Sequence, residues 1–326
     1  MKLLLKHTLL ALAFSSSVVP LAVAQTKPLT PVKLTTSWYA QAEHGGFYAA
    51  KAMGIFEKNG LDVTIVMGGP QVNNPQLLAA GNTDFAMGFH LQTLNAVRAG
   101  LPIVTVAAYF QKDPQSLIVH EGSGFDSLPA LKGKPIRIPA QGRTSYWPWL
   151  KARYQFSDDQ LRPYDFTLGP FIADKQAIQQ GYITNDGYLL DKGGVKGKSL
   201  LLADYGWDAY AGTVETTRQM IEKRPEVVAA LVRSVSEGWA AYFANPGPAN
   251  ALIKKDNPQM EDAMLAYTHA ALQRLGILAT APGSSYGVMT DARWESFFQN
   301  NVAAGNLPAD LNYKQAYTLQ FVKALP

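Results

Sequence analysis

The stretch WYAQAEHGGFYAAKAMG (Trp38–Gly54) sets an aromatic pair, Trp38-Tyr39, a charged pair, Glu43-His44, and a glycine pair, Gly45-Gly46, within nine residues. It follows VKLTTSW (32–38), a run rich in β-branched residues that reads as a buried strand. It runs into GGFYAAKAMGIFEKNG (45–60), which has helical periodicity and closes on an Asn59-Gly60 turn. Strand, glycine-bearing turn and helix in that order read as the first β–α turn of a parallel sheet. In open α/β sheets ligands sit outside the carboxyl ends of the strands, so this turn is placed for binding by topology.

The same alternation continues on either side of later turns. LDVTIVMG (61–68), TDFAMG (83–88) and PIVTVAAYF (102–110) read as strands, with helices over VNNPQLLAAG and LQTLNAVRAG (91–100) between them. A second block follows. Strands are expected at 116–120, 135–140, 164–169 and 182–186, with helices at 144–155 and 171–181; 199–207 is extended, and 212–217 begins another strand-to-helix turn. After Thr217 the pattern turns helical, over 225–246, 260–276 and 291–305. No repeat and no low-complexity linker separates the two blocks. The expected fold is α/β and two-lobed, each lobe a mainly parallel sheet flanked by helices, with a hinge between. Lobe 1 would comprise 25–112 and 217–326 and lobe 2 113–216, the helical tail packing back on lobe 1.

Composition narrows the function classes. Lys2 and Lys6, an apolar run and Ala22-Val23-Ala24 form a secretory signal over residues 1–24, which implies export to the periplasm. Apolar residues make up 47% of the chain, enough for a packed core. There is no cysteine, so disulfides, thiol nucleophiles and thiolate-bound metals are excluded. Lys2 and Lys6 leave with the signal, and what remains is close to neutral without a run of like charge, which argues against nucleic acid as a partner. The five histidines show no i, i+4 pair for a metal, and neither phosphate-loop nor nucleophile-elbow spacing occurs.

Longer segments carry a family resemblance. SWYAQAEHGGFYAAKAMGIFEKNGLDVTI, GGP (68–70), LLAAGNTDFAMG, GLPIVTVAAY, LKGKPIRIP (131–139), DKQAIQQGYITND (174–186) and KRPEVVAALVRS (223–234) resemble, in order, the NMT1/THI5-like substrate-binding proteins. These are periplasmic components of ABC importers; relatives bind thiamine pyrimidine precursors, and SsuA-like cousins bind alkanesulfonates, taurine or nitrate. The resemblance implies the type II periplasmic-binding-protein fold, an interlobe ligand and an inner-membrane ABC permease as partner. The pyrimidine synthases of the superfamily carry a cysteine-rich run that this chain lacks. Where the family has T-S-E-P, this chain reads Thr184-Asn185-Asp186-Gly187.

The candidate site follows from the strand ends. Trp38, His44 and Gly45 follow the first strand, Gly69 the second, Phe89 and His90 the third and Tyr109 the fourth. Two glycines at a helix start weaken it, which is explained if the backbone comes close to a ligand or exposes its N–H groups. Glu43 is accounted for as a carboxylate at a helix N-terminus. In lobe 2, AQGRTSYWPW (140–149) supplies Arg143, Thr144 and Tyr146, and Asp186 supplies a carboxylate for an amino group. Trp149 reads as lobe-interior packing. The expected ligand is a small planar amino-heteroaromatic such as a thiamine pyrimidine precursor, bound by a monomer without cofactor, metal or catalytic residue. The runner-up is an alkanesulfonate, taurine or nitrate-type anion read by Arg143. The rival class is a pyrimidine-modifying enzyme using His44 and Asp186.

Overall fold

Two five-stranded sheets, built alike, divide the chain. The computed structural model describes residues 28–278 and 285–325; the expected signal segment, 1–24, lies outside the described residues. The first sheet has β1 (Thr30–Thr35), β2 (Leu61–Val66), β3 (Phe85–Phe89) and β4 (Ile103–Phe110). The second has β5 (Gln115–His120), β6 (Ile136–Arg137), β7 (Leu161–Arg162), β8 (Gln179–Tyr182) and β9 (Gly197–Leu201), and β10 (Ala211–Thr217) returns to the first. The orders are β2-β1-β3-β10-β4 and β7-β6-β8-β5-β9. In each sheet one strand, β10 or β5, runs antiparallel to both its neighbours, and the others share one direction. The mainly parallel, two-lobed expectation therefore holds. Residues 211–216 are corrected from the second lobe to the first, because β10 pairs with β3 and β4 along its length.

The helices explain why β3 and β4 are buried on both faces. α1 (Gly45–Ala52), α2 (Ile55–Lys58), α3 (Asn74–Ala79) and α4 (His90–Arg98) connect the strands of the first sheet. Asn73 caps α3, its side chain accepting from the Gln76 N–H. In the second lobe lie α5 (Ala140–Arg143), α6 (Tyr146–Tyr154), α7 (Gly169–Ala173) and α8 (Ile183–Lys192). The tail gives α9 (Arg218–Lys223), α10 (Pro225–Ala244), α11 (Gly247–Asp256), α12 (Asp262–Arg274) and α13 (Asp291–Ala303). α10 and α11 pack on α1, as expected of a tail that returns to lobe 1, but α12 also packs on α8 of lobe 2.

Two local expectations fail for identifiable reasons. The helix expected over 171–181 stops at Ala173, because the Asp174 carboxylate turns back to accept the Gln176 N–H at 2.8 Å, a local bond that competes with helix. The strand then forms at 179–182 instead of 182–186, and α8 begins at Ile183, where Asp186 Oδ1 accepts the Tyr182 N–H at 2.7 Å. Of residues 164–169, expected as a strand, 164–168 form the loop after the two-residue β7, with Phe166 at φ 65°, and Gly169 begins α7.

The apolar core runs continuously through both lobes. Trp207, on the return crossover, packs against Trp149 of the second lobe at 5.5 Å and Phe297 of the first-lobe tail at 5.2 Å between ring centroids. Trp149 is buried, in keeping with the packing role read from the sequence.

Candidate functional site

The carboxyl ends of the parallel strands in the two sheets face one another, and the site is built from the turns that follow them. After β1 the chain reaches Trp38, which is half-buried. Its indole meets the ring of Phe166 at 4.8 Å, across from the loop after β7. Phe166 is 41% exposed, adopts a left-handed backbone conformation and is followed on its own side by Tyr164 at 5.2 Å. A non-glycine residue held at positive φ with an exposed aromatic ring is costly both ways, a combination that marks functional loops. Gln141 Nε2 donates to Pro70 O at 3.4 Å, a second contact between the turns of the two lobes.

Glu43 and His44 lie in a short 3-10 turn, Ala42–His44, ahead of α1. Glu43 is 2% exposed and does not cap α1; instead Thr184 Oγ1, at the start of α8, donates to its Oε1 at 2.6 Å. Its Oε2 is buried without a partner, and burial pushes its carboxyl above the usual range. His44 is buried, its Nδ1 has no partner, and desolvation pushes its pKa down to about 3. An imidazole that titrates there is neutral at ordinary pH and poorly matched to general-base work. Next to Thr184, Asn185 Oδ1 accepts from Thr268 Oγ1 of α12 at 2.7 Å.

Several expected site residues serve the framework. Asp186 is buried with both oxygens engaged: Oδ2 accepts from Ser116 Oγ at 2.6 Å and Ser199 Oγ at 2.7 Å, and Oδ1 from the Tyr182 N–H. It ties α8 to β5 and the end of β9, so its acceptor capacity is used inside lobe 2. His90 is buried in an aromatic box, stacked on Phe297 at 4.0 Å and edge-on to Trp294 at 3.9 Å. Its Nδ1 accepts from the Tyr210 N–H at 3.2 Å, which leaves the proton on Nε2. Tyr109 is buried against Phe47 and donates to Val232 O at 2.9 Å. A Cβ at Gly45 would stand 2.3 Å from Tyr242, and at Gly46 2.4 Å from Trp239, so these glycines admit α10 to close packing on α1. Close helix approach, not ligand approach, accounts for the pair.

The remaining expected residues are Gly69, Phe89, Tyr146, Arg143 and Thr144. Gly69 is buried beside Tyr39, with Gly68 held so near Thr36 that a Cβ would stand 2.1 Å from its carbonyl oxygen. Phe89 is half-buried at the end of β3. Tyr146 is buried and its hydroxyl has no partner, burial and the Asp113 carboxylate both raising its pKa. Arg143 and Thr144 are exposed and line a cavity of about 660 Å³ between α4 and α6. Sequence reasoning missed Phe166, Thr184 and Gln179 and gave Glu43 a capping role; an acid two residues ahead of a glycine pair was the available signal. Gln179, whose Nε2 donates to Tyr164 Oη at 3.3 Å, buries its Oε1 unpartnered. Among the described residues no cluster of His, Asp and Glu could hold a metal ion.

The model of the family described as NMT1/THI5 like matches residues 41–249. The riboflavin-binding protein RibY of Chloroflexus aurantiacus is 27% identical over 307 residues, covering 90% of this chain and 86% of that one. The formylaminopyrimidine-binding protein of Halalkalibacterium halodurans is 25% identical over 296 residues, 88% of this chain and 89% of that one. Among solved structures, the periplasmic aliphatic sulphonate binding protein SsuA from Escherichia coli superposes with a TM-score of 0.66 at 16% identity, over 87% of this chain and 91% of that one. That likeness establishes the two-lobed periplasmic-binding-protein fold. The matched segment runs from the turn before Glu43, through Thr184 and β10, into α11, and by it this chain belongs to the NMT1/THI5-like family.

Proposed function

We propose that this protein is an exported solute-binding component of an ABC importer that holds a small planar nitrogen heterocycle between its lobes. The observation that carries the reading is a set of buried polar atoms without partners: Glu43 Oε2 and His44 Nδ1 in the turn before α1, Tyr146 Oη at the start of α6 and Gln179 Oε1 at the start of β8. Native proteins pair nearly all such atoms, and a polar ligand seated among them would supply the pairing. The aromatic faces of Trp38 and Phe166 suit a flat ring. The two curated relatives described above are named for heteroaromatic ligands, riboflavin and a formylaminopyrimidine. A buried carboxylate at Glu43 favours a ligand that brings N–H donors and opposes an anion. Hinge closure around the ligand, driven by its tighter binding to the closed form, would present a shape for an inner-membrane permease to read. The signal-like residues 1–24 support a periplasmic location, and among the described residues no helix is long and apolar enough to cross a membrane.

A thermal-shift screen of aminopyrimidines, riboflavin, alkanesulfonates and nitrate tests this. A ligand at a hundred times its Kd stabilises by about 2.7 kcal/mol, which such a screen resolves. Aminopyrimidines or flavins should raise the melting temperature, and Trp38→Ala should weaken that binding. No stabilisation by any aminopyrimidine or flavin would refute the heterocycle.

A further inference from the structure

We propose that the groove between α4 and α6 is a second binding site, selective for a small oxyanion such as phosphate and separate from the aromatic cleft. The groove encloses about 660 Å³, with Asn95 and Arg98 of α4 on one wall, Arg143, Thr144 and Lys151 on the other, and Asn306 beyond α13 closing one end. Its walls belong to different lobes, α4 to the first and α5 and α6 to the second. Three of its lining side chains are cationic and none is a carboxylate.

The two arginines are held as a receptor would hold them. Arg98 Nη1 donates to Asn306 O at 2.8 Å, and Arg143 Nε donates to Ile138 O at 3.3 Å. Each guanidinium is thereby fixed by a backbone carbonyl while its other N–H groups stay available. Among the described residues neither arginine has a carboxylate within ion-pair distance. Lys151 differs: its ammonium pairs at 3.0 Å with Asp158, which is not part of the groove lining. Guanidinium groups match tetrahedral oxyanions through paired N–H donors, and the Asn95 amide and Thr144 hydroxyl add neutral ones. Like charges from opposing lobes in one concavity repel, and an anion between them turns that repulsion into a bridge. The occupant therefore binds the closed arrangement of the lobes more tightly than an open one.

The test is a calorimetric titration of the full chain with inorganic phosphate, without any heterocycle and with ionic strength held constant by chloride. Phosphate should bind the wild type, and Arg98→Gln and Arg143→Gln should each weaken it about tenfold, as loss of one charge-assisted contact does. Both side chains are exposed, so the variants should keep the wild-type melting temperature without phosphate. Heat no larger than that of added chloride, or equal phosphate affinity in wild type and both variants, would overturn the site. Because no heterocycle is present, that failure leaves the aromatic cleft untouched, and the aminopyrimidine and flavin arms of the ligand screen, which bring no oxyanion, leave this site untouched.

Discussion

Thr184 Oγ1 and Glu43 Oε1 join the lobes through a 2.6 Å hydrogen bond between the start of α8 and the turn before α1, and the other Glu43 oxygen is buried without a partner. The carboxylate thus carries an uncompensated burial cost that its raised pKa reports. Glu43→Gln keeps the shape and removes the charge. In the unliganded protein it should leave stability unchanged or raised at a pH where the Glu43 carboxyl is ionised, by urea unfolding. Affinity for an N–H-donating heterocycle should fall ten- to a hundredfold, the loss of a charged acceptor being about 1.5–3 kcal/mol. Unchanged affinity by calorimetry would remove Glu43 from the ligand's contacts.

Glu215 gives the fold a pH dependence of definite sign. It is buried in β10, accepts from Thr93 Oγ1 at 2.7 Å, and burial pushes its pKa up to about 7. The folded chain keeps this proton up to about pH 7, whereas the unfolded chain releases it near 4.5, as a free glutamate does. Its contribution to stability is therefore full below 4.5 and is lost as pH rises to 7. The size is on the order of 3 kcal/mol. Asp113, raised to about 6 by burial, acts in the same direction. Urea unfolding at pH 5 and pH 8 should show Glu215→Gln more stable than wild type at pH 8, with a flatter profile. A profile identical to wild type would contradict this.

What the sequence made legible was set by local pattern. The alternation of β-branched runs and helical periods in 32–110 led to the first sheet, because each strand there is five to eight residues long and continuous. The second lobe was harder: β6 falls inside the expected 135–140, but β7 is two residues long, too short for any period to register, and was expected at 164–169 instead. At the site, Trp38 was found from strand-end topology. Phe166 carries no such signal, since a left-handed backbone position is a property of the folded loop. Asp186 and His90 were the right residue types in the right neighbourhood, but which way a side chain turns depends on partners far off in sequence. Ser116 and Ser199 draw Asp186 inward, and Phe297 covers His90.

The Gly45-Gly46 pair separates a packing role from a binding role. Gly46 lies against Trp239, and a Cβ at Gly238 would stand 2.1 Å from Gly46 O, so α1 and α10 touch backbone to backbone. Gly46→Ala forces these helices apart and should destabilise by about 1–3 kcal/mol, as overpacked cores do. The ligand affinity of the folded fraction should hold. Full stability with lost affinity in the same variant would restore the ligand-facing reading of the glycines.

Arg293 of α13 clasps both segments that cross between the lobes. Its Nη2 donates to Gln111 O at 2.6 Å on the outgoing crossover and to Ala209 O at 3.3 Å on the returning one. It also pairs with Asp208 at 2.8 Å, and its guanidinium lies 4.1 Å from the Tyr210 ring centroid. The crossovers are tied a second time where Trp207 Nε1 donates to Asp113 Oδ2 at 2.9 Å. The arginine side chain is only 19% exposed, so solvent does not replace these bonds. Arg293→Ala frees three backbone carbonyls, of Gln111, Asp208 and Ala209, and one carboxylate at the crossovers. Small-angle scattering of the unliganded variant should give a larger radius of gyration than wild type, and ligand affinity should fall as closure becomes costlier. Arg293→Lys should not restore either value, because a single ammonium cannot reach both crossovers in the planar geometry of the fork. If the variant merely melts earlier, with radius and affinity unchanged, the clasp contributes packing and not hinge control.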